Sequence, residues 1–218
     1  MRKSIILSLF LLLFSVTAYA EYSDMPYDWS YESMSWAVEN GIINGSDGKI
    51  YPDGYMTRAE QAAVLARYSR QNELFAENGE TYTYTDADES DWFYADVCYM
   101  SAANIMNGDG ERFRPHDNVT REEAVAAMGR MLSIEEDEET CQTFSDIDEI
   151  SDWARGCVGA FAELGLVNGD GGEFRPHDDI SRKEFIAILY RCDMRSDAAK
   201  HLEPVIDEDG SVWSPIYN

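Results

Sequence analysis

Three arginines recur in one local pattern, and their chemistry frames the rest of the chain. Arg58 lies in Thr57-Arg58-Ala59-Glu60, Arg121 in Thr120-Arg121-Glu122-Glu123, and Arg182 in Ser181-Arg182-Lys183-Glu184. They stand 63 and 61 residues apart. The hydroxyl residue and the Glu three positions later form a capping box, in which each side chain satisfies a backbone amide of the other at a helix N-terminus. The Arg needs a separate explanation. At the first helical position a cation meets the positive end of the helix dipole, at a cost of about a few tenths of a kcal/mol. Making that choice three times points to a use for the guanidinium. Beside free helix amides it makes an anion site suited to a carboxylate or phosphate. The alternative is that each arginine ties down a carboxylate of its own fold.

These boxes belong to a larger repeat. Phe113-Arg114-Pro115-His116-Asp117 returns as Phe174-Arg175-Pro176-His177-Asp178, and a looser copy, Ile50-Tyr51-Pro52-Asp53-Gly54, precedes both. With the units aligned on Gly45, Gly108 and Gly169, the tryptophans Trp29, Trp92 and Trp153 each fall sixteen residues upstream. Tyr22-Ser23-Asp24, Tyr84-Thr85-Asp86 and Phe144-Ser145-Asp146 open the units. A period near sixty residues with two helices per unit is the mark of an array. Each unit reads as an aromatic-x-Asp turn, a first helix with apolar residues at helical spacing, and a Gly/Asp loop whose turns need positive φ. Pro52, Pro115 and Pro176 then stiffen the approach to the capped second helix. Ile50, Phe113 and Phe174 are expected to pin the loop to the core. Each second helix ends near an arginine, Arg67, Arg130 or Arg191, which suits its C-terminus.

The 218 residues carry 42 acidic and 17 basic side chains, a net charge of −25. Such a surface repels nucleic acid and anionic lipid, so an anionic ligand has to be captured locally by clustered arginines. Met1-Arg2-Lys3, the apolar run Ile5 to Val16 and Ala18-Tyr19-Ala20 read as a secretory signal over residues 1–20. The remainder divides into repeat 1 at 21–76, a linker at 77–83, repeat 2 at 84–133, an acidic linker at 134–143, repeat 3 at 144–192 and a tail at 193–218. After signal cleavage no membrane partner is expected. In an exported chain Cys98, Cys141, Cys157 and Cys192 permit two disulfides. Cys98 and Cys157 fall at nearly matching places in their repeats and are a candidate pair; buried thiols are the alternative. No spacing supports a metal site, and no cofactor is expected.

Aromatic-x-Asp, Trp, Asn-Gly, Asp-Gly-x-Phe-x-Pro and Thr-Arg-Ala-Glu together resemble the S-layer homology (SLH) family in three tandem repeats, over about Tyr22 to Cys192. The resemblance implies a mainly α fold, a pseudo-threefold spindle of three helix-loop-helix repeats with a central three-helix bundle and three prongs. It implies a cell-surface protein held non-covalently to secondary cell-wall polysaccharide or peptidoglycan in grooves between prongs. The glycan often carries a pyruvate ketal, whose carboxylate meets the motif arginine and loop amides. By that resemblance Arg58, Arg121 and Arg182 line three grooves, with Gly45, Gly108 and Gly169 close to the acid group. Arg114 and Arg175 add positive charge, while unit 1 has Tyr51 at that place, so its groove is expected to be weaker. Glu122 is a candidate competitor for Arg121. Trp29, Trp92 and Trp153 either stack on sugar rings or pack in the core.

Two other readings compete. Catalysis has little support: no nucleophile motif is present, and His116 and His177 sit in repeat-matched loops. Calcium loops are echoed in Asp86-x-Asp88-x-Ser90 and Asp207-x-Asp209-Gly210, without the rest of an EF-hand pattern. A third reading keeps the fold and assigns a surface-layer structural or assembly role.

Overall fold

The computed structural model describes residues 22–75, 82–135 and 144–200, the side chains of the last helix as far as Ser196, and two short strands beyond it. The expected signal segment, most of the acidic linker with Cys141, and Asp207 and Asp209 lie outside the described residues. Six α-helices follow in pairs: α1 (Tyr31–Glu39) and α2 (Arg58–Gln71), α3 (Tyr94–Ala102) and α4 (Arg121–Leu132), α5 (Asp152–Glu163) and α6 (Arg182–Lys200). One 3₁₀ turn, Ile147–Glu149, precedes α5. Strands β1 (Val205–Ile206) and β2 (Val212–Trp213) pair antiparallel after α6. The last helix runs past Cys192, so the third unit is longer than its pattern implies.

Capping chemistry starts each second helix as the sequence dictates. Thr57, Thr120 and Ser181 accept from the amides of Glu60, Glu123 and Glu184, whose carboxylates accept in return from the cap amides at 3.0, 3.0 and 2.9 Å. The first helices are amphipathic: α5 buries Ala154, Cys157, Val158 and Phe161 along one stripe. The second helices are buried nearly all round. In α4, nine of twelve residues are buried, which makes it an internal rather than a surface helix.

Helix contacts close into a ring. Helix α2 packs against α3, α4 against α5, and α6 returns to α1. Each prong is therefore the second helix of one unit and the first helix of the next. At the axis the residues before the second helices form a cycle of backbone hydrogen bonds: Met56 N–H to Ile180 O, Ile180 N–H to Val119 O, and Val119 N–H to Met56 O, each 2.9 Å. The six helices and this cycle are the three-repeat helix-loop-helix spindle.

Two devices lock each loop to its unit. The Asp of the aromatic-x-Asp motif clamps two successive loop amides: Asp24 those of Ile50 and Tyr51, Asp86 those of Phe113 and Arg114, Asp146 those of Phe174 and Arg175, all at 2.7–2.9 Å. Ile50, Phe113 and Phe174 are the expected plugs, at most 1% exposed. At the other end Arg67, Arg130 and Arg191 donate to the carbonyls of Ile42, Ile105 and Leu166. The terminal arginines thus tie each second helix to its own unit's loop.

The candidate Cys98–Cys157 disulfide is not formed, and both side chains are buried thiols, the alternative reading. Cys157 Sγ packs over Gly129 on α4, where an added Cβ would come within 2.9 Å, while the Cys98 thiol donates to Tyr82 O at 3.8 Å. Two similar repeat positions face two different prongs. Cys192 is a buried thiol, with its pKa pushed up by burial to about 12.

Candidate functional site

The arginine positions are set by how one unit's helix docks on the next unit's loop. Arg58 N–H donates to Asp117 O, Arg121 N–H to Asp178 O, and Arg182 N–H to Gly54 O. The following amides, of Ala59, Glu122 and Lys183, donate to Pro115, Pro176 and Pro52 carbonyls. With the third amide already in the capping box, the first turn of each second helix has no amide left for a ligand. This corrects the expectation of free helix amides beside the arginines. The donors are consumed because the proline-bearing loops cross directly over the helix ends.

The guanidinium groups are partly consumed too. Arg58 is buried and donates from Nε to Phe113 O and from Nη2 to Asn107 O, both at 2.9 Å. Arg121 donates from Nε to Phe174 O at 2.9 Å and from Nη1 to Glu184 Oε1 at 3.3 Å. Arg182 pairs with Glu60. The motif arginines therefore tie down carboxylates and carbonyls of the neighbouring unit, as one of the two starting readings holds. Burial pulls the Arg58 and Arg121 guanidiniums below their ordinary pKa, against the pull of Glu123 and Glu184 respectively. Both remain cations at neutral pH.

Arg121 also lines an opening. A cavity of about 560 Å³ lies between the loop of unit 3 and α6, bounded by Trp29, Arg121, Gly169, Arg175, Lys183 and Glu184 among others. It joins predicted residues from all three units: Trp29 from the first, Arg121 from the second, Gly169 and Arg175 from the third. Glu184 Oε1 sits between two guanidiniums, 3.3 Å from Arg121 and 3.2 Å from Arg175. Burial alone would raise the Glu184 pKa, but the Ser181 hydroxyl and amide, then Arg121 and Arg175, hold it below its usual value. Arg175 Nε is buried with no partner among the described residues. A carboxylate-bearing ligand entering here meets two cations that share Glu184 as a counter-ion, Arg175 having Asp178 as well at 3.7 Å.

Arg114, Arg175 and Tyr51 hold left-handed backbone, with φ of 62°, 59° and 51°. That conformation strains a residue with a side chain by about 1–3 kcal/mol. The Asp clamps on their amides stabilise it, and the unusual φ aims successive side chains in different directions from one loop.

The tryptophans are not core residues. Trp29, Trp92 and Trp153 are 60%, 63% and 51% exposed, which corrects the core alternative and leaves broad apolar faces in solvent. Phe93, next to Trp92, takes the buried place at 1% exposure. The glycines are explained by packing. An added Cβ would lie 2.3 Å from Lys49 O at Gly45, 2.2 Å from Arg112 O at Gly108 and 2.8 Å from Glu173 O at Gly169. In each unit the opening aromatic ring, Tyr22, Tyr84 or Phe144, presses on the same face.

Glu122 does not compete for Arg121. It accepts from the amide and hydroxyl of Ser151 at 3.0 and 2.9 Å, and His177 Nδ1 lies 3.4 Å away. Unit 1 fills that role locally, Ser30 donating to Asp28, as does unit 2 with Ser90 and Asp88. In unit 3 the position two residues before Ser151 is Glu149, yet Ser151 donates to Glu122 of the neighbouring unit instead. Asp86 and Asp88, the candidate calcium ligands, spend oxygens on these loop and turn donors. Sequence reasoning passed over Lys183. It bridges Asp28 at 3.1 Å and Asp53 at 2.6 Å and lies 5.7 Å from the Trp29 ring centre. The one available signal was its place beside Arg182 in the third copy of the motif.

The S-layer homology domain model matches residues 21–62, 83–125 and 143–186, more than half of the chain and all three units. The chain belongs to the S-layer homology domain family. Among relatives of this SLH chain, an amylopullulanase of Thermoanaerobacterium thermosulfurigenes is 32% identical over 82% of the chain and 10% of that enzyme. Exoglucanase XynX of Acetivibrio thermocellus is 31% identical over 78% of the chain and 16% of the enzyme. A cellulosome-anchoring protein of the same organism is 27% identical over 78% of the chain and 39% of that protein. The SLH chain thus spans a tenth to two fifths of the length of these curated relatives, and the matched part of the two named enzymes is a small fraction of each. No helix among the described residues is long and apolar enough to cross a membrane.

Proposed function

We propose that this SLH chain is a secreted, non-catalytic module that attaches non-covalently to the bacterial cell wall, by taking an acidic secondary wall polysaccharide into a groove between repeats. The observation that carries the reading is the cavity where Trp29 meets Arg121 and Arg175. An exposed indole face stacks on a sugar ring, and paired guanidiniums receive a carboxylate, which is the recognition set of an acidic glycan. A pyruvate ketal is the acidic group proposed. The name of the cellulosome-anchoring relative supports attachment as the role. The two enzyme relatives match through a small part of their length, which supports a carried module rather than a catalytic one.

The test is co-sedimentation with purified wall sacculi, intact and stripped of acid-labile polysaccharide. The chain is expected to pellet with intact walls and stay in solution with stripped ones. Arg121→Ala is expected to weaken binding by ~1.5–3 kcal/mol, a lost charge-assisted hydrogen bond. Equal pelleting with both wall preparations would overturn the polysaccharide reading.

A further inference from the structure

The three units are built on one plan, yet they differ at the loop glycine. In units 1 and 2 the opening aromatic is a tyrosine whose hydroxyl takes the glycine amide: Gly45 N–H donates to Tyr22 Oη at 3.2 Å, and Gly108 N–H to Tyr84 Oη at 3.4 Å. In unit 3 the aromatic is Phe144, which has no hydroxyl. Gly169 N–H has no acceptor among the described residues, and Gly169 lines the 560 Å³ cavity.

The arginines differ in the same sense. The Arg58 terminal nitrogen Nη2 is held by Asn107 O at the loop of unit 2. Arg121 makes no such bond to Asn168, although Asn168 lines the same cavity; its terminal nitrogens meet only Glu184, which Arg175 shares. Arg182 is paired with Glu60, and its groove carries Tyr51 in place of a second arginine. Unit 3 alone combines an uncapped loop amide, a motif arginine held to the loop backbone through Nε but not through its terminal nitrogens, and a second guanidinium.

We infer that the third groove is the one that reads the acidic group of the glycan, and that the tyrosine hydroxyls of units 1 and 2 close the equivalent amides against it. This rests on the wall-binding reading above. A loop N–H beside a guanidinium gives a carboxylate two convergent donors, and a hydroxyl occupying the amide removes one of them. Residue 144 is then a specificity switch: Phe opens the amide to the ligand and Tyr closes it.

The experiment uses the full mature chain and two probes, intact sacculi and a methyl glycoside bearing a pyruvate ketal, the latter compared with its methyl ester. Phe144→Tyr is expected to weaken binding to sacculi and to the free-acid glycoside about tenfold, while affinity for the ester stays at its parent level. Arg121→Ala is expected to weaken binding tenfold or more, by about 1.5–3 kcal/mol, and Arg58→Ala and Arg182→Ala to keep it within about threefold when circular dichroism shows them folded. Tyr84→Phe, which frees the amide of unit 2, is expected to add a weak second site for the glycoside by calorimetry. If the parent binds intact walls but Phe144→Tyr binds equally well, or Arg58→Ala weakens binding as much as Arg121→Ala, the groove assignment is overturned and wall attachment stands. If the parent does not bind intact walls at all, the attachment reading itself fails.

Discussion

Asp28 shows how much a single side chain does at the residue scale. Its carboxylate accepts from the hydroxyl and amide of Ser30 and from Lys183, and these hold its pKa at about 2, against an ordinary 3.8. The folded pKa is the lower one, so the contribution to stability is complete above pH 3.8 and is lost as pH falls toward 2. Chemical denaturation of the parent and of Asp28→Asn is therefore expected to converge as pH drops through that window. A constant gap between them would show that Asp28 acts without its charge. Glycine packing gives a second expectation. At Gly108 a Cβ would stand 2.2 Å from Arg112 O, against backbone that cannot yield cheaply. Gly108→Ala should destabilise by about 1–3 kcal/mol, as overpacking does, in urea melts. Gly169→Ala, with its nearest contact at 2.8 Å, should cost less.

At the scale of the element, the start of α5 depends on a residue of another unit. Ser151 supplies two donors and Glu122 both acceptors. Glu122→Ala leaves that turn without its acid, and the expected loss is about 0.5–2 kcal/mol, that of a helix cap, with faster hydrogen exchange over 152–156 than elsewhere. The capping boxes were legible in sequence since their partners lie three residues apart. The Glu122–Ser151 bond spans 29 residues and carries no local signature, so a reading along the chain assigned Glu122 to the nearest cation instead.

The whole molecule is a closed ring rather than an open stack. An open array of repeats is stabilised between nearest neighbours and tolerates loss of its last unit. Here α6 packs back on α1, and the Met56–Ile180–Val119 cycle needs all three units. Removing unit 3 also strips the loop carbonyls that satisfy the first amides of α4. Calorimetry of the mature chain is expected to show one transition, with calorimetric and van't Hoff enthalpies equal. A chain ending at residue 135 is expected to lack a cooperative transition, and a well-defined melt for it would contradict the ring.

Sequence alone determined what depends on short spacing: the three units, two helices in each with the capping boxes of the second, the loop plugs, and the family to which these motifs belong. Helical period, capping and turn chemistry act over a few residues, so repetition makes them plain even from one chain. The tertiary structure decided where each donor is spent. The helix amides looked free because their acceptors, the carbonyls of Pro115, Pro176 and Pro52, come from another unit. The tryptophans were placed outside the core only by their exposure in the fold, with Phe93 buried beside the exposed Trp92. Trp29, Arg121 and Arg175 line one cavity because ring closure brings the first unit against the third, and no spacing along the chain encodes that juxtaposition.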